Sequence, residues 1–193
     1  MLTLFFAPGS SAMAPHIALH EIGVPFESRP LSFHRKENRD PAFLAINPEG
    51  KLPTLLIDGR PLTEVAAILF YLARRFPAAR LLPIDDIEAE AQVVSWMSFI
   101  AATVHPARQK GAEQARAIYG IADHRLGARE WAVGSYSIAD IHLFRLFWRF
   151  HGWLRPTAGE FPNLTAHYQR MMARPAVIKT IETEAAIGYE LPA

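Results

Sequence analysis

The segment 47–57 combines residue types that could bind a peptide-like ligand through the protein backbone. Pro48 and Gly50 are turn formers, and Pro53 stands directly before an apolar run. Because proline cannot donate to a sheet ladder, we expect Pro53 at the mouth of a strand. If the bond between Leu52 and Pro53 is cis, the N–H and C=O of Leu52 are left unpaired and can bind an extended ligand as an added strand would. The alternative is an ordinary strand start with a trans proline.

Composition and charge exclude several classes of function. The chain of 193 residues contains no cysteine, which excludes disulfides, thiolate metal sites and a protein thiol as nucleophile. Basic and acidic side chains nearly balance, 20 against 19, so the charge does not indicate nucleic acid or an acidic membrane as a partner. The first residues lack a basic region, and no apolar run approaches the roughly 20 residues of a spanning helix. We therefore expect a cytoplasmic protein that binds neither nucleic acid nor membranes.

Local patterns predict a mixed α/β domain over residues 1–76. The predicted elements are strands over 2–7, 26–31 and 54–57 and a helix over 14–22. The first strand, the helix and the second strand form a βαβ unit with parallel strands. Asp58 and Gly59 predict a hairpin turn after the third strand. A helix follows, for which Thr63 is a capping candidate and Glu64 suits the positive end of the helix dipole.

The rest of the chain predicts helices alone. Residues 77–86 are rich in proline and small side chains and are interpreted as a linker, so residues 87–193 form an all-helical domain. The predicted helices cover 87–104, 114–126, 137–150, 162–173 and 175–184. Ser137 and Asp140 have the spacing of a capping box before a very apolar run, a pattern that predicts a helix start and no chemistry.

Four motifs lie in the order and spacing of one known family. They span Phe6 to Leu19, Asn47 to Pro53, Leu62 to Leu72 and Ser137 to Asp140. Together they resemble the cytosolic glutathione transferases, most closely the bacterial beta class. The resemblance implies an α/β thioredoxin-like N-terminal domain, an all-α C-terminal domain and a homodimer. It also implies that the peptide bond before Pro53 is cis.

The resemblance assigns glutathione, as co-substrate and without a metal, to the first domain. The glutathione-binding candidates are Lys36, Lys51, Leu52, Pro53, Glu64 and Val65, with Arg35 as an alternative to Lys36. The cysteinyl backbone of glutathione would pair with Leu52. Its γ-glutamyl carboxylate would meet the N–H of Val65 at a helix start, and Glu64 would accept from the γ-glutamyl ammonium. The lysines would meet the glycyl carboxylate.

The sequence departs from the beta-class pattern where the chemistry is expected. Ser11 stands where similar beta-class enzymes carry cysteine, and related serine-type classes place a catalytic hydroxyl at a position that matches Ser10. Either hydroxyl could hold the sulfur of glutathione as thiolate by donating a hydrogen bond, or both serines could be helix caps alone. His105 matches a histidine that faces the active site in similar proteins, with a dipole partner at a helix end as the alternative. His16 is interpreted as structural.

These features together predict a glutathione S-transferase. It would react glutathione, through a stabilised thiolate, with a small hydrophobic electrophile. The second domain is shorter than in similar enzymes between His105 and the capping box, and Val65 replaces the usual small residue. Those departures leave the alternative of a weakly catalytic or non-catalytic binding or regulatory protein of the same fold. Several aromatic residues could line a pocket in the second domain, although core positions are the alternative. They are Trp96, Phe99, Trp131, Phe147, Trp148 and Trp153.

Overall fold

The computed structural model describes residues 1–190, and its chain divides into two compact units. The first unit combines residues 1–72 with the segment that begins at Pro175, and the second covers residues 73–174. The final helix therefore packs with the first unit, although the sequence placed it in the second domain. The domain boundaries at 76 and 87 stay predictions.

A four-stranded sheet forms the centre of the first unit. Its strands are β1 (Leu2–Phe6), β2 (Glu27–Pro30), β3 (Thr54–Ile57) and β4 (Arg60–Thr63), in the order β2-β1-β3-β4. The helices of this unit are α1 (Met13–Ile22), α2 (Pro41–Leu44), the start of α3 (Val65–Arg75) and α8 (Pro175–Ile187), which packs against α1. Strand β1 is parallel to β2, as the predicted βαβ unit requires, and antiparallel to β3. The thioredoxin-like arrangement is confirmed.

Local chemistry explains where these elements begin and end. All five residues of β1 are buried, in keeping with a central strand. Helix α1 ends at Gly23, whose φ of 74° suits glycine and whose N–H donates to the carbonyl of Leu19. The predicted turn joins β3 to β4 through Asp58 and Gly59, both with positive φ. The cap prediction for α3 was wrong: Thr63 ends β4, and Glu64 precedes the helix with a φ of 68°.

The second unit is helical. It contains α4 (Ile87–Phe99), α5 (Ala112–Leu126), α6 (Ile138–Leu154) and α7 (Pro162–Met172). Helix α4 continues as a π-helical segment (Ile100–Val104) and then a 3₁₀ segment (His105–Lys110), so the helix predicted over 87–104 changes its winding near its end. Among residues 1–190 no helix is long and apolar enough to cross a membrane.

Aromatic side chains fill much of the second unit. Trp96 and Phe147 are almost fully buried, and the indole N–H of Trp96 donates to the carbonyl of Ala132 at 3.1 Å. These two residues are therefore core, the alternative that the sequence left open for the aromatic set. The predicted capping box is confirmed: the N–H of Ser137 donates to Asp140 at 2.9 Å, and the N–H of Ala139 donates to the hydroxyl of Ser137 at 3.3 Å.

Candidate active site

One end of the sheet in the first unit gathers most of the predicted site residues. Phe5 on β1 pairs with Thr54 on β3, and Thr54 pairs with Thr63 on β4. These strands are antiparallel neighbours. The end of β1, the start of β3 and the end of β4 therefore lie together at the same end of the sheet. The segments brought together in this way are 8–11, 51–53 and 64–65.

The Leu52–Pro53 peptide bond is cis, which confirms the prediction made for it. Strand β3 begins only at Thr54, so Leu52 lies just outside the sheet. Within residues 1–190 the N–H and C=O of Leu52 make no hydrogen bond, and the residue is half-buried. A backbone donor and acceptor are therefore free at the sheet edge, which is what an extended peptide ligand needs.

The loop before Leu52 is held by a buried amide. Asn47 is 3% exposed, and its Nδ2 donates to the carbonyl of Lys51 at 2.9 Å and to the hydroxyl of Thr54 at 3.0 Å. Its Oδ1 accepts from the N–H of Glu49 at 3.2 Å. Asn47 begins one of the four family motifs, but the sequence predicted no role for it. Its position before a Pro-x-Gly turn was the available signal, because asparagine often bonds the backbone of the turn it opens.

Charged side chains lie beside the same loop. Lys51 and Glu64 are exposed, and Lys51 pairs with Glu49 at 2.7 Å. The hydrogen bond and charge of Glu49 raise the pKa of Lys51, and the charge of Glu64 adds to this effect. Lys51 and Glu64 are thus within electrostatic reach of each other. Val65, which is 9% exposed, begins α3, and its N–H is one of the first donors of the helix, which have no partner within the helix.

The loop that carries Lys36 is tied to this region. The side chain of Asn38 donates to the carbonyl of Gly50 at 2.8 Å. Gly50 has a φ of 61°, and a β-carbon there would lie 2.7 Å from the carbonyl oxygen of Asn38, so only glycine fits. Lys36 itself is exposed, whereas the alternative candidate Arg35 already pairs with Glu37 at 2.9 Å. Lys36 is the less engaged of the two cations.

The two candidate serines differ in their surroundings. Ser10 is 7% exposed, and its hydroxyl accepts from the N–H of Ala12 at 3.2 Å in the turn before α1. Ser11 is half-buried, and no hydrogen bond of its hydroxyl occurs among residues 1–190. The alternative that both serines cap α1 was wrong, because the N-cap residue is Ala12 and no side chain caps this helix. The hydroxyl of Ser10 instead accepts a bond within the turn, and the hydroxyl of Ser11 has its donor available among the described residues.

His105 lies in the second unit, where it is exposed and begins the 3₁₀ segment after the π-helical turn. π-helical turns occur often at functional positions. The buried His142 is a neighbour: burial first, and then the charges of His105 and Arg145, lower the pKa of His142 to about 3. The structure thus places His105 within electrostatic reach of the buried His142 of its own unit.

A residue that sequence reasoning missed lies behind the serine turn. Glu184 on α8 is fully buried and accepts from the backbone N–H of Gly9 at 2.6 Å. It also contacts Nδ1 of His16 at 2.9 Å, which fits the structural role predicted for His16. No sequence signal pointed to Glu184, because its partners are 175 and 168 positions away in the chain.

Comparison with known proteins supplies the family. The model of the glutathione S-transferase N-terminal domain matches residues 1–74, and that of the C-terminal domain matches residues 67–175. The chain is 33% identical to the glutathione S-transferase GstA of Escherichia coli O157:H7, covering 95% of this chain and 98% of that protein.

Solved structures agree with this result. A sphingomonad glutathione S-transferase complexed with glutathione matches at 31% identity and a TM-score of 0.85, covering 95% of this chain and 98% of the other. A glutathione S-transferase from Xylella fastidiosa matches at 27% identity and a TM-score of 0.85, covering 96% and 99%. Because the similarity extends over both units and includes a relative above 30% identity, the chain belongs to the glutathione S-transferase family.

Proposed function

We propose that this protein activates the thiol of glutathione and transfers it to a small hydrophobic electrophile. The observation that carries the proposal is the free backbone of Leu52 beside the cis bond to Pro53, at a sheet edge shared with the serine turn and the start of α3. In the reaction the thiol loses its proton to solvent and the sulfur forms a bond to an electrophilic carbon. That carbon either releases a leaving group with its bonding electron pair or, where it belongs to an activated double bond, passes the electron pair to the neighbouring atoms, which take a proton from solvent. The thiolate attacks, and the protein stabilises and positions it without forming a covalent intermediate of its own.

The binding half of the proposal assigns glutathione to named groups of the first unit. The cysteinyl backbone pairs with the N–H and C=O of Leu52, with Pro53 holding that residue outside the sheet. The γ-glutamyl carboxylate takes the N–H of Val65, and the ammonium of the same residue takes the carboxylate of Glu64. Lys51 and Lys36 attract the glycyl carboxylate. Support comes from the location of these groups at one sheet edge and from solved relatives that bind glutathione.

For the chemical half we assign Ser11 as the donor to the sulfur, with Ser10 shaping the turn. Support is that the hydroxyl of Ser11 makes no hydrogen bond among residues 1–190, whereas the hydroxyl of Ser10 accepts from the N–H of Ala12 within the turn. Free thiols have a pKa of about 8.5, and lowering it by one to two units takes about 1.4–2.7 kcal/mol. One hydrogen bond to a charged group is worth roughly 1.5–3 kcal/mol, so a single hydroxyl suffices. His105 is proposed to contact glutathione or the second substrate, and a His105→Ala variant tests that role through the KM of each.

The experiment is an ultraviolet difference titration of protein-bound glutathione. We expect thiolate absorbance well below pH 8.5 in the unchanged protein, and a rise in the midpoint of one to two pH units in Ser11→Ala. The matched control is Ser28→Ala, an exposed serine of β2 in the same unit, which should leave the midpoint and turnover unchanged.

Each other outcome has a distinct meaning. Bound glutathione without any thiolate signal would replace the enzyme proposal with the glutathione-binding alternative. Absence of binding would remove the assignments to Leu52, Glu64 and Val65. A midpoint that rises in Ser10→Ala and not in Ser11→Ala would exchange the roles of the two serines.

Three finer points accompany the proposal. We place the protein closest to the beta class, with Ser11 in the position of its cysteine, and therefore expect no mixed disulfide between protein and glutathione. A homodimer is supported by the exposed apolar side chains of Phe70 on α3 and Val94 on α4, and gel filtration with light scattering tests it. A cytoplasmic location is supported by chemistry, since that compartment keeps thiols such as glutathione reduced.

A further inference from the structure

A buried carboxylate holds both flanks of the serine turn. The side chain of Glu184 is 0% exposed and lies near the end of α8. One of its oxygens accepts from the N–H of Gly9 at 2.6 Å, one residue before Ser10. The other lies 2.9 Å from Nδ1 of His16, on the helix that follows Ser11. A single side chain from a distant part of the sequence therefore connects the chain before the turn with the chain after it.

These contacts are strong ones. A carboxylate removed from water must be compensated by hydrogen bonds, and bonds to a charged acceptor are shorter and stronger than neutral ones. Contacts within the turn add to this restraint: the N–H of Ser10 donates to the carbonyl of Ala7 at 3.0 Å, and the hydroxyl of Ser10 accepts from the N–H of Ala12. Gly9 is in the left-handed region, with a φ of 71°, so the direction of its N–H is set by the turn and by Glu184 together.

His16 is fixed as firmly as Glu184. Its ring is 1% exposed and packs at 4.9 Å from the ring of Phe6, 4.9 Å from that of His20 and 5.8 Å from that of Phe26. The ring therefore has no room to swing away from the carboxylate. The pair is a rigid clamp on the start of α1.

The other titratable groups near the clamp lie on α1, on α8 and just after α8. Burial first, then the positive charges of His16 and Lys179, lower the pKa of His20 to about 4. Burial, and then the charge of Glu184, raise the pKa of Tyr189. His16 and Tyr189 thus interact with Glu184 itself, whereas His20 stacks on His16 and is influenced by the charge of Lys179.

We propose that Glu184 is a positioning residue for glutathione activation: it fixes the turn so that the hydroxyl of Ser11 points at the sulfur. This inference rests on the proposed function, because it assumes that Ser11 donates to the thiolate. It adds that the C-terminal helix α8 is required for thiolate formation, although α8 carries none of the glutathione-binding candidates. Those candidates belong to other segments, so glutathione affinity depends little on Glu184.

The test replaces Glu184 with glutamine, which keeps the shape but presents an amide N–H₂ to one of two groups that need an acceptor. We expect the midpoint for bound thiol in Glu184→Gln to rise by about one pH unit and kcat at neutral pH to fall about tenfold. The dissociation constant for glutathione should change less than threefold. Glu182→Gln, an exposed glutamate one half-turn earlier on the same helix, is the matched control and should match the unchanged protein.

A double-mutant cycle separates positioning from general stabilisation of the fold. If Glu184 acts through Ser11, the change Glu184→Gln shifts the thiol midpoint in the unchanged protein and has no further effect in Ser11→Ala. Equal shifts in both backgrounds would overturn the proposal and leave Glu184 a fold-stabilising residue. An unchanged midpoint in Glu184→Gln, with a clear shift in Ser11→Ala, would overturn it while the proposed function stands.

If Glu184→Gln fails to fold, His16→Phe takes its place in the cycle. Phenylalanine suits the aromatic surroundings of His16 and removes the partner that fixes the carboxylate. The expected shift of the thiol midpoint has the same sign and again disappears in Ser11→Ala. No shift in His16→Phe, with intact glutathione binding, would overturn the proposal. No shift in Ser11→Ala itself would instead remove the proposed role of Ser11.

Discussion

In the part of the chain that the structure describes, each unit contains a buried pair of a carboxylate and a histidine. In the first unit Glu184 meets His16 at 2.9 Å, and in the second Asp140 meets His167 at 3.1 Å. In both pairs the side chains are at most 1% exposed. The two pairs are similar in chemistry and burial but differ in what else the carboxylate holds.

The carboxylate of Asp140 accepts hydrogen bonds from groups around the start of its own helix. It accepts from the N–H of Ala132 at 2.8 Å, the N–H of Ser137 at 2.9 Å and the hydroxyl of Ser137 at 3.2 Å. Glu184 instead accepts from Gly9, beside the candidate catalytic turn. The comparison teaches that similar buried pairs differ in the backbone they contact: the start of its own helix for Asp140, and the turn that carries the candidate serines for Glu184.

The largest expected effect comes from removing the carboxylate that serves the fold. Asp140→Ala leaves two backbone N–H groups and His167 without their buried acceptor, so we expect the free energy of unfolding to fall by about 3–5 kcal/mol. Urea denaturation measures it. The matched control is Asp86→Ala, which removes an exposed cap that accepts from Glu88 and Ala89 at 3.0 Å and should cost about 1 kcal/mol. Equal losses in the two variants would contradict the role given to Asp140.

A histidine without a carboxylate sharpens the comparison. His142 is 1% exposed, and neither ring nitrogen has a hydrogen-bond partner among the described residues. Burial, with the charges of His105 and Arg145, lowers its pKa to about 3 from an ordinary 6.5. Between these values the unfolded chain binds a proton that the folded chain refuses, so the free energy of unfolding falls as the pH drops below 6.5.

The corresponding variant is His142→Phe, which cannot take up that proton. Between pH 7 and pH 4.5 we expect the unchanged protein to lose about 2–3 kcal/mol more unfolding free energy than the variant does, at about 1.4 kcal/mol per pH unit. Denaturation curves at both pH values measure the difference. His124→Gln, an exposed histidine of α5, is the control and should keep the full loss. A loss in His142→Phe equal to that of the unchanged protein would exclude His142 as its source.

The contrast between the two carboxylates also explains what the sequence could and could not predict. Ser137 and Asp140 are three positions apart, so the capping box was visible as a local pattern and was confirmed. The parallel pairing of β1 with β2 and the hairpin of β3 and β4 followed from short-range patterns in the same way, through a βαβ unit and a tight turn. Residues that interact within one turn or one hairpin have a fixed spacing in the sequence, and that spacing can be recognised.

The contacts of Glu184 with Gly9 and His16 have no such short spacing. A glutamate on an amphipathic helix ordinarily faces water, and only the packing of α8 on α1 buries this one beside Gly9. The same limit explains the wrong cap for α3, where Thr63 has a suitable side chain but is held in β4 by its pairing with Thr54. Tertiary contacts decided both cases, and neither propensity nor periodicity reports them.

Asn47 extends the comparison to a neutral group, because it does for the loop before Leu52 what Glu184 does for the serine turn. Asn47→Ala removes three hydrogen bonds and should cost about 2 kcal/mol of unfolding free energy. The same change loosens the loop that carries Leu52. The dissociation constant for glutathione should therefore rise about tenfold. Calorimetry and urea denaturation measure the two effects. The control Asn38→Ala removes one bond from a half-buried side chain and should change both quantities less.

The smallest effect is expected for an exposed pair beside the same loop, which tests whether burial is what gives the other groups their weight. Lys51→Met breaks an ion pair whose partners are 69% and 53% exposed, so the free energy of unfolding should change by less than about 0.5 kcal/mol. If Lys51 attracts the glycyl carboxylate, the KM for glutathione should still rise about threefold at low salt, and that rise should shrink at high salt because mobile ions screen exposed charges. Lys110→Met, an exposed lysine of the second unit, should change neither quantity. A rise in KM that persists at high salt would mean that Lys51 acts by shaping the loop, as Asn47 does. Lys51 would then belong with the buried groups that hold the backbone and not with the exposed charges.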